Sequence, residues 1–313
     1  MLKTYYLENQ EIKIGLLNKG CAITEITLKE LGQNTVVTYD TLATYLEDPF
    51  TMNALVGNHA GRIKNASYEH EGKMIHLQAN DGANHLHGGD DGLSHQYFTI
   101  TKKQDALIAK LEHQGVDYTI TYRLSGLQVT IEMLAVPHNE TLINLTQHTY
   151  FNLSEEKTIG NHNLIVEGTY VQALDDSGVP MAEKIPVKNT VFDFTVKSQI
   201  KKALEGKHEQ FAISKNIDHP YHTQALYLES PDEKIGLSIT SDAPVMVVYL
   251  ANYFNDGITN LKHRGLAQDH EAIAVEPQYL PNDVNLKQGP SQFFTKQQPF
   301  KRIIKYQYTI KKD

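Results

Sequence analysis

Three stretches of this chain place histidine or carboxylate side chains where a backbone could hold them against a ligand. The segment NDGANHLHGGDDG (80–92) carries Asn84, His85 and His87 among Gly82, Gly88, Gly89 and Gly92. Glycine lets a chain turn tightly and approach a ligand closely. On an extended segment His85 and His87 point to one face. Imidazoles facing a ligand, a metal pair and a polar loop with incidental histidines all fit this segment. In INLTQHTYFNLS (143–154), His148 lies inside an apolar, aromatic strand pattern. A buried histidine must be hydrogen-bonded or titrated by its neighbours, and a satisfied core histidine is the plainer reading. In EAIAVEPQYLPND (271–283), a buried-strand run ends on Glu276, directly before Pro277. Carboxylates are rarely buried without a partner or a task, so Glu276 is either a working group in a cleft or a rim charge. Arg62 in VGNHAGRIKN (56–65) and Asp218 in NIDHPY (216–221) complete the set, each alone reading as a loop charge.

What these groups could do is narrowed by what is missing. The sequence has no G-x-G-x-x-G, no P-loop, no H-E-x-x-H and no G-x-S-x-G, so nucleotide binding, zinc proteolysis and serine hydrolysis have no local support. Its one cysteine, Cys21, rules out an internal disulfide framework or a cysteine-based metal site and reads as a small buried core residue. The net charge of -8, with no Lys/Arg-rich run, argues against nucleic acid as a partner. No apolar run is long enough for a membrane span, and MLKTYYLENQ lacks the pattern of a signal peptide. The expectation is a soluble cytoplasmic protein. An arginine, several histidines, an aspartate and a strand-end glutamate suit proton transfer on a polar, neutral ligand, with no cofactor and no metal.

The elements that must carry these groups read as strands. VDYTITYR (116–123) alternates Val116, Tyr118, Ile120 and Tyr122 with polar residues. KIGLSIT (234–240), VMVVYLA (245–251) and FKRIIKYQYTI (300–310) are strand-like as well, the second as a continuous apolar run. SYEHEGKMIHL (67–77) reads as two short strands joined at Glu71–Gly72. Seventeen tyrosines fit half-buried pleated surfaces. Helical signals are confined to TLATYLED (41–48) and TVKSQIKKAL (195–204), where Val196, Ile200 and Leu204 recur every fourth residue. Alternating strand–helix units are absent, which excludes a parallel α/β sheet and predicts an all-β chain, a large antiparallel sandwich or barrel with few short helices. With no repeat, low-complexity tract or Pro/Gly-rich linker, residues 1–313 read as one domain.

In this order, the clusters resemble those of the aldose 1-epimerase (galactose mutarotase) family. GNHAGRI resembles the family's Gly-Arg-x-x-x-Arg-Ile segment, and NHLHGG (84–89) is close to its most distinctive motif. INLTQHTYFNLS, NIDHPY and VEPQYLPND are similar to three further family segments, and VFDF (191–194) and VVYLANYF (247–254) match in kind. The resemblance runs from about Gly57 to the C-terminus. It implies a large antiparallel β-sandwich of the galactose mutarotase type, with the site in a cleft across one sheet. It implies Glu276 as the general base toward the C1 hydroxyl and His148 as the general acid toward the ring oxygen. It also implies Arg62, His87 and Asp218 as groups that hold a small-molecule sugar such as galactose or glucose.

Three departures from the family pattern stand out. Asn58 replaces the first arginine of its segment, Gln147 replaces the asparagine beside the acid histidine, and EHQGVDY (112–118) lacks a Gly-Phe/Tyr-Pro-Gly segment expected at the cleft rim. A sugar-phosphate mutarotase would need further cationic groups. A non-catalytic carbohydrate-binding protein would not need an acid–base pair, and a cupin-like metal site would use the His85-x-His87 pair. As an acid, His148 should have a raised pKa, which nearby carboxylates would supply.

Overall fold

Residue-by-residue alternation decides this architecture. In Phe300–Ile310, the residues Phe300, Arg302, Ile304, Tyr306 and Tyr308 are buried, whereas Lys301, Ile303 and Lys305 face water. Gln128–Pro137 alternates in the same way. Such a strand has one face for a core and one for solvent. The computed structural model describes residues 1–311. Its largest sheet has nine antiparallel strands. In spatial order they are Thr99–Lys102, Ala106–His113, Val116–Ser125, Gln128–Pro137, Phe300–Ile310, Ile235–Ser241, Ala225–Glu229, Asn163–Val166 and Ser198–Gln199. A second sheet orders Thr149–Phe151, Ile273–Gln278, Val245–Tyr249, Asp218–Tyr221, Tyr170–Leu174 and Pro180–Pro186. Both are open, so of the sandwich and barrel alternatives the sandwich is the one observed. A four-stranded sheet within the first 34 residues adds Ile12, Ile14, Ile23 and Ile26 to the shared core.

The six-stranded sheet positions the candidate site. One of its faces packs Phe151, Ile273, Val275, Met246, Val248 and Tyr221 into the core with the nine-stranded sheet. The alternate residues Tyr150, Glu276, Val247, Tyr249, Asp218 and Pro220 face a cleft on the other side. Register fixes their neighbours, because Val247 pairs with Glu276 and Asp218 with Tyr249. The run VMVVYLA reads as uniformly apolar because one face feeds the core and the other floors the cleft.

The hairpin expected at Glu71–Gly72 is present: Ser67–His70 pairs with Lys73–His76, and both turn residues have positive φ. The helix expected over 195–204 is largely absent. Ser198–Gln199 pairs with the strand Asn163–Val166, and a single turn, Lys201–Leu204, remains. Asp193 Oδ1 accepts from the Thr195 amide and hydroxyl, a local bond that competes with helix formation. Over 41–48 only a 3-10 turn forms, Leu42–Leu46. Among the described residues no helix is long and apolar enough to cross a membrane.

Candidate active site

The five residues to which the family resemblance gives roles line one cleft of about 220 Å³: Arg62, His87, His148, Asp218 and Glu276. His148 sits where the chain leaves Thr146–Gln147, paired with Leu55–Val56, and enters Thr149–Phe151, paired with Ile273–Val275. The last ladder pair there is Thr149 with Val275, so one further step brings His148 opposite Glu276. Their side chains meet, His148 Nε2 lying 3.2 Å from Glu276 Oε1. Both are almost fully buried, at 6% and 4% side-chain exposure. Gln278, two residues on and on the same face, donates to Glu276 Oε2 at 3.2 Å and accepts from Asn144 Nδ2 at 3.2 Å.

His87 and Arg62 come from a two-stranded ribbon in which Arg62–Ile63 pairs with His85–Leu86. The loops on either side approach closely. A Cβ at Gly88, whose φ is +92°, would lie 2.2 Å from the Gly57 carbonyl oxygen, so only glycine fits. The expectation that His85 and His87 share a face does not hold. His87 has φ of 55°, which breaks the extended alternation. It turns toward His148, with ring centroids 5.5 Å apart, whereas His85 Nδ1 binds the Gln78 carbonyl at 2.8 Å and lines a different cavity. A cupin-like His85-x-His87 pair is therefore not formed.

His87, His148 and Glu276 do bring one ligand atom each within 4.8 Å of one another. The surroundings do not suit a metal. A ligating histidine normally donates its other ring N–H to an oxygen. Here His87 Nδ1 accepts from the Gly61 amide at 3.2 Å, so Nε2 keeps its proton and is a hydrogen-bond donor toward the cleft.

Electrostatics push the dyad toward its neutral forms. Burial lowers the pKa of His148 to about 4. The raised value expected from neighbouring carboxylates is not found, because desolvation of the imidazolium outweighs them. Burial, reinforced by the charge of Asp218, lifts Glu276 well above the ordinary carboxylate range against the pull of Arg62 and Gln278. Burial and the neighbouring His148 and Arg62 keep His87 neutral, well below its usual pKa. Burial likewise raises Asp218, with Arg62 opposing. Arg62 gives Nε to Asp81 Oδ2 at 2.6 Å and sits 4.0 Å from Asp218 Oδ2. Burial disfavours its charge, but the two carboxylates more than compensate and hold it above its ordinary pKa.

Sequence reasoning missed Asp81, Gln278, Tyr249 and Tyr253. Period-two alternation from Glu276 would have found Gln278. Tyr249 and Tyr253 lie in the VVYLANYF stretch, matched only in kind. Asp81 meets Arg62 only through the ribbon, and no local spacing signals that. Of the departures, Gln147 has a structural task. It accepts from Tyr122 OH at 2.7 Å and donates to the carbonyls of Asn53 at 2.5 Å and Cys21 at 3.2 Å, all buried. Gln147→Ala should strand these groups and destabilise the fold by about 2–4 kcal/mol, read as a lowered urea midpoint. Asn58 accepts from Tyr118 OH, away from the cleft. At the hairpin turn Gln114–Gly115, Gln114 donates to Asp91 Oδ2 at 2.7 Å, and neither turn residue lines this cleft.

The sequence profile of the aldose 1-epimerase family matches residues 3–307. The chain belongs to the aldose 1-epimerase family. Among curated relatives of this epimerase, a maltose epimerase from Levilactobacillus brevis is 28% identical over 98% of this chain and 95% of its own. An aldose 1-epimerase from Haemophilus influenzae is 31% identical over 75% and 73%. The fold matches that of a GalM/aldose epimerase homologue from C. elegans, with a TM-score of 0.91, 23% identity and full coverage of both chains. It also matches a galactose 1-epimerase from Lactobacillus acidophilus NCFM, with a TM-score of 0.88, 24% identity, and coverage of 99% of this chain and 95% of that one. The chain is thus a carbohydrate epimerase with a galactose mutarotase fold.

Proposed function

We propose that this epimerase interconverts the α and β anomers of a free aldose such as galactose or glucose, with Glu276 as base and His148 as acid. The observation that carries this reading is the buried 3.2 Å contact between the two groups on the floor of a cleft that Arg62, His87 and Asp218 also line. The dyad holds one proton in total. Burial favours it on Glu276, and shifting it across the contact creates a carboxylate and an imidazolium without drawing on solvent. The carboxylate then takes the C1 hydroxyl proton while the imidazolium protonates the ring oxygen. The C1–O5 bond breaks, leaving an aldehyde at C1 and a hydroxyl at C5. After rotation about C1–C2, the C5 hydroxyl attacks the other carbonyl face, returns its proton to His148, and the new C1 oxygen takes the proton from Glu276. Proton count is unchanged over the cycle. Mutarotation proceeds slowly in water, so two positioned groups worth about 10²–10⁴-fold each suffice.

His87 Nε2–H, Arg62 and Asp218 hold hydroxyls and ring. Asp81 positions Arg62. Since such contacts exist in ground and transition states alike, His87→Asn and Arg62→Ala should raise KM by about tenfold with kcat less affected. Initial-rate kinetics over a range of sugar concentrations checks this.

The sugar-phosphate alternative is not favoured. Arg62 is the sole lysine or arginine among the described residues lining the cleft, and two carboxylates already engage it. Parallel rates of α-to-β conversion for galactose, glucose, xylose and glucose 6-phosphate test the assignment. A free aldose should be turned over fastest. Preference for the phosphate ester would reverse the substrate class.

A further inference from the structure

The ribbon that brings Arg62 and His87 to the cleft also carries His85, which lines a second cavity of about 510 Å³ together with His59, His70 and His76. None of these four histidines lines the cleft. We infer that His70, Glu71 and Glu140, beside this second cavity, form a binding site for a divalent transition-metal ion of the zinc class. The ion would tie the hairpin of Ser67–His70 and Lys73–His76 to the segment that leads into Thr141–Leu142. It is structural and takes no part in the ring opening proposed above.

Geometry carries the inference. His70, Glu71 and Glu140 each place one ligand atom within 4.8 Å of the other two. His70 Nε2 lies 3.2 Å from Glu140 Oε2. Two atoms about 2.1 Å from one tetrahedral ion are roughly 3.4 Å apart, so this pair already has the spacing of two ligands. The His70 ring is held in place by stacking on Phe293, with centroids 3.8 Å apart and planes 15° apart. Phe293 pairs in turn with Leu142, two residues from Glu140, so one strand pair orients both sides of the site. An imidazole with two carboxylates is a mixed nitrogen and oxygen donor set, which suits zinc better than calcium or magnesium. Three protein ligands leave a position for water. The cavity, which His70 and Glu140 also line, holds acceptors that lack a donor. Gln292 Nε2 donates to the Leu280 carbonyl, which turns its Oε1 toward His59 Nε2 at 3.0 Å. Nε2 therefore carries the proton, and the Nδ1 lone pair of His59, a residue 3% exposed, has no partner among the described residues. His85 is anchored through Nδ1 on the Gln78 carbonyl, so its lone pair is on Nε2. Burial keeps both rings neutral, lowering His59 to about 4. A buried acceptor without a donor is costly, and water bound to a cation is a strong donor.

Titration calorimetry with Zn²⁺ alone, on the untagged full chain stripped by a chelator, tests the site independently of turnover. One equivalent should bind, about tenfold or more tighter than Ca²⁺. His70→Gln and Glu140→Gln should each weaken Zn²⁺ by about tenfold or more. Their mutarotation rates should stay within about twofold of wild type, since neither position lines the cleft. Glu140→Gln exchanges an exposed carboxylate for an amide of equal size and carries the test if His70→Gln does not fold. With free Zn²⁺ at a hundredfold excess over its Kd, wild type should melt about 4 °C higher, and the variants should show half that rise or less at the same concentration. Glu276→Gln should bind Zn²⁺ as wild type does. The absence of saturable Zn²⁺ binding, equal affinity for Ca²⁺, or binding that persists undiminished in both hairpin-site variants would overturn the site. Loss of binding in Glu276→Gln would overturn it too, because the ion would then lie in the cleft.

Discussion

Glu276→Gln is expected to yield a folded protein that has lost about 10²–10⁴-fold in kcat while keeping or exceeding wild-type stability. The two effects have one cause. Glutamine keeps the size of the side chain and can still face His148 Nε2 and Gln278, but it cannot hold or release the dyad's proton. Glu276 lies in a desolvated position that lifts its pKa well above the ordinary range. A carboxylate raised in this way is most compatible with the fold below its unfolded pKa of about 4.3, and that advantage disappears as pH rises through the folded value. Glutamine never ionises, so the melting temperature of the variant should equal or exceed that of wild type, with the gap widening at alkaline pH. Thermal melts at several pH values beside polarimetric rates check both halves. A variant that loses activity together with stability would mean that Glu276 is chiefly a structural partner.

His148 governs the second large effect, the shape of the pH profile. An ordinary carboxylate base and an imidazole acid of raised pKa would place the acid limb of kcat/KM on Glu276 and the alkaline limb on His148. The buried dyad reverses this assignment. His148 titrates near 4 and Glu276 well above the usual carboxylate range, so one proton is shared across a broad plateau. Below it a second proton arrives, chiefly on the imidazole. Above it the only proton leaves, chiefly from Glu276. The limbs are macroscopic properties of the pair. His148→Asn should therefore lose most of kcat, by about 10²-fold or more, and with it the acid limb near pH 4. The sign for stability follows the same shift. A histidine depressed in the fold supports folding above its unfolded pKa of about 6.5, and that support is lost as pH falls through about 4. His148→Asn should thus resist acid unfolding better than wild type. A pH–rate profile of both proteins, with circular dichroism to confirm folding, reads these outcomes. An unchanged acid limb in the variant would assign the titration elsewhere.

Much of the fold was legible because its strands obey simple alternation. Phe300–Ile310 and Val116–Ser125 show their buried faces in the sequence, and Glu71–Gly72 shows its turn. The weaker reading lay where a pattern had two owners. Val196, Ile200 and Leu204 keep a helical spacing, yet Ile200 is buried beside a short strand while Val196 stands 69% exposed. At the site, the residue types were legible and their electrostatics were not. His148 and Glu276 could be picked out as polar groups in apolar strands. Their direct contact depends on a ladder register between Thr149–Phe151 and Ile273–Gln278 that spans more than a hundred residues. The sense of the pKa shifts followed only from that burial. Asp81 and Tyr253 stayed hidden for a similar reason, since each acquires meaning from what the fold sets against it.

The most direct test of the central claim, that a buried one-proton dyad opens and recloses the sugar ring, is proton exchange spectroscopy on equilibrated galactose and glucose at neutral pH with EDTA. Exchange cross-peaks between α and β anomeric protons report interconversion without any net reaction. The account predicts strong enzyme-dependent cross-peaks with wild type and their loss with both Glu276→Gln and His148→Asn. Exchange that persists in either folded variant, or that vanishes when the metal chelator is added to wild type, would contradict it.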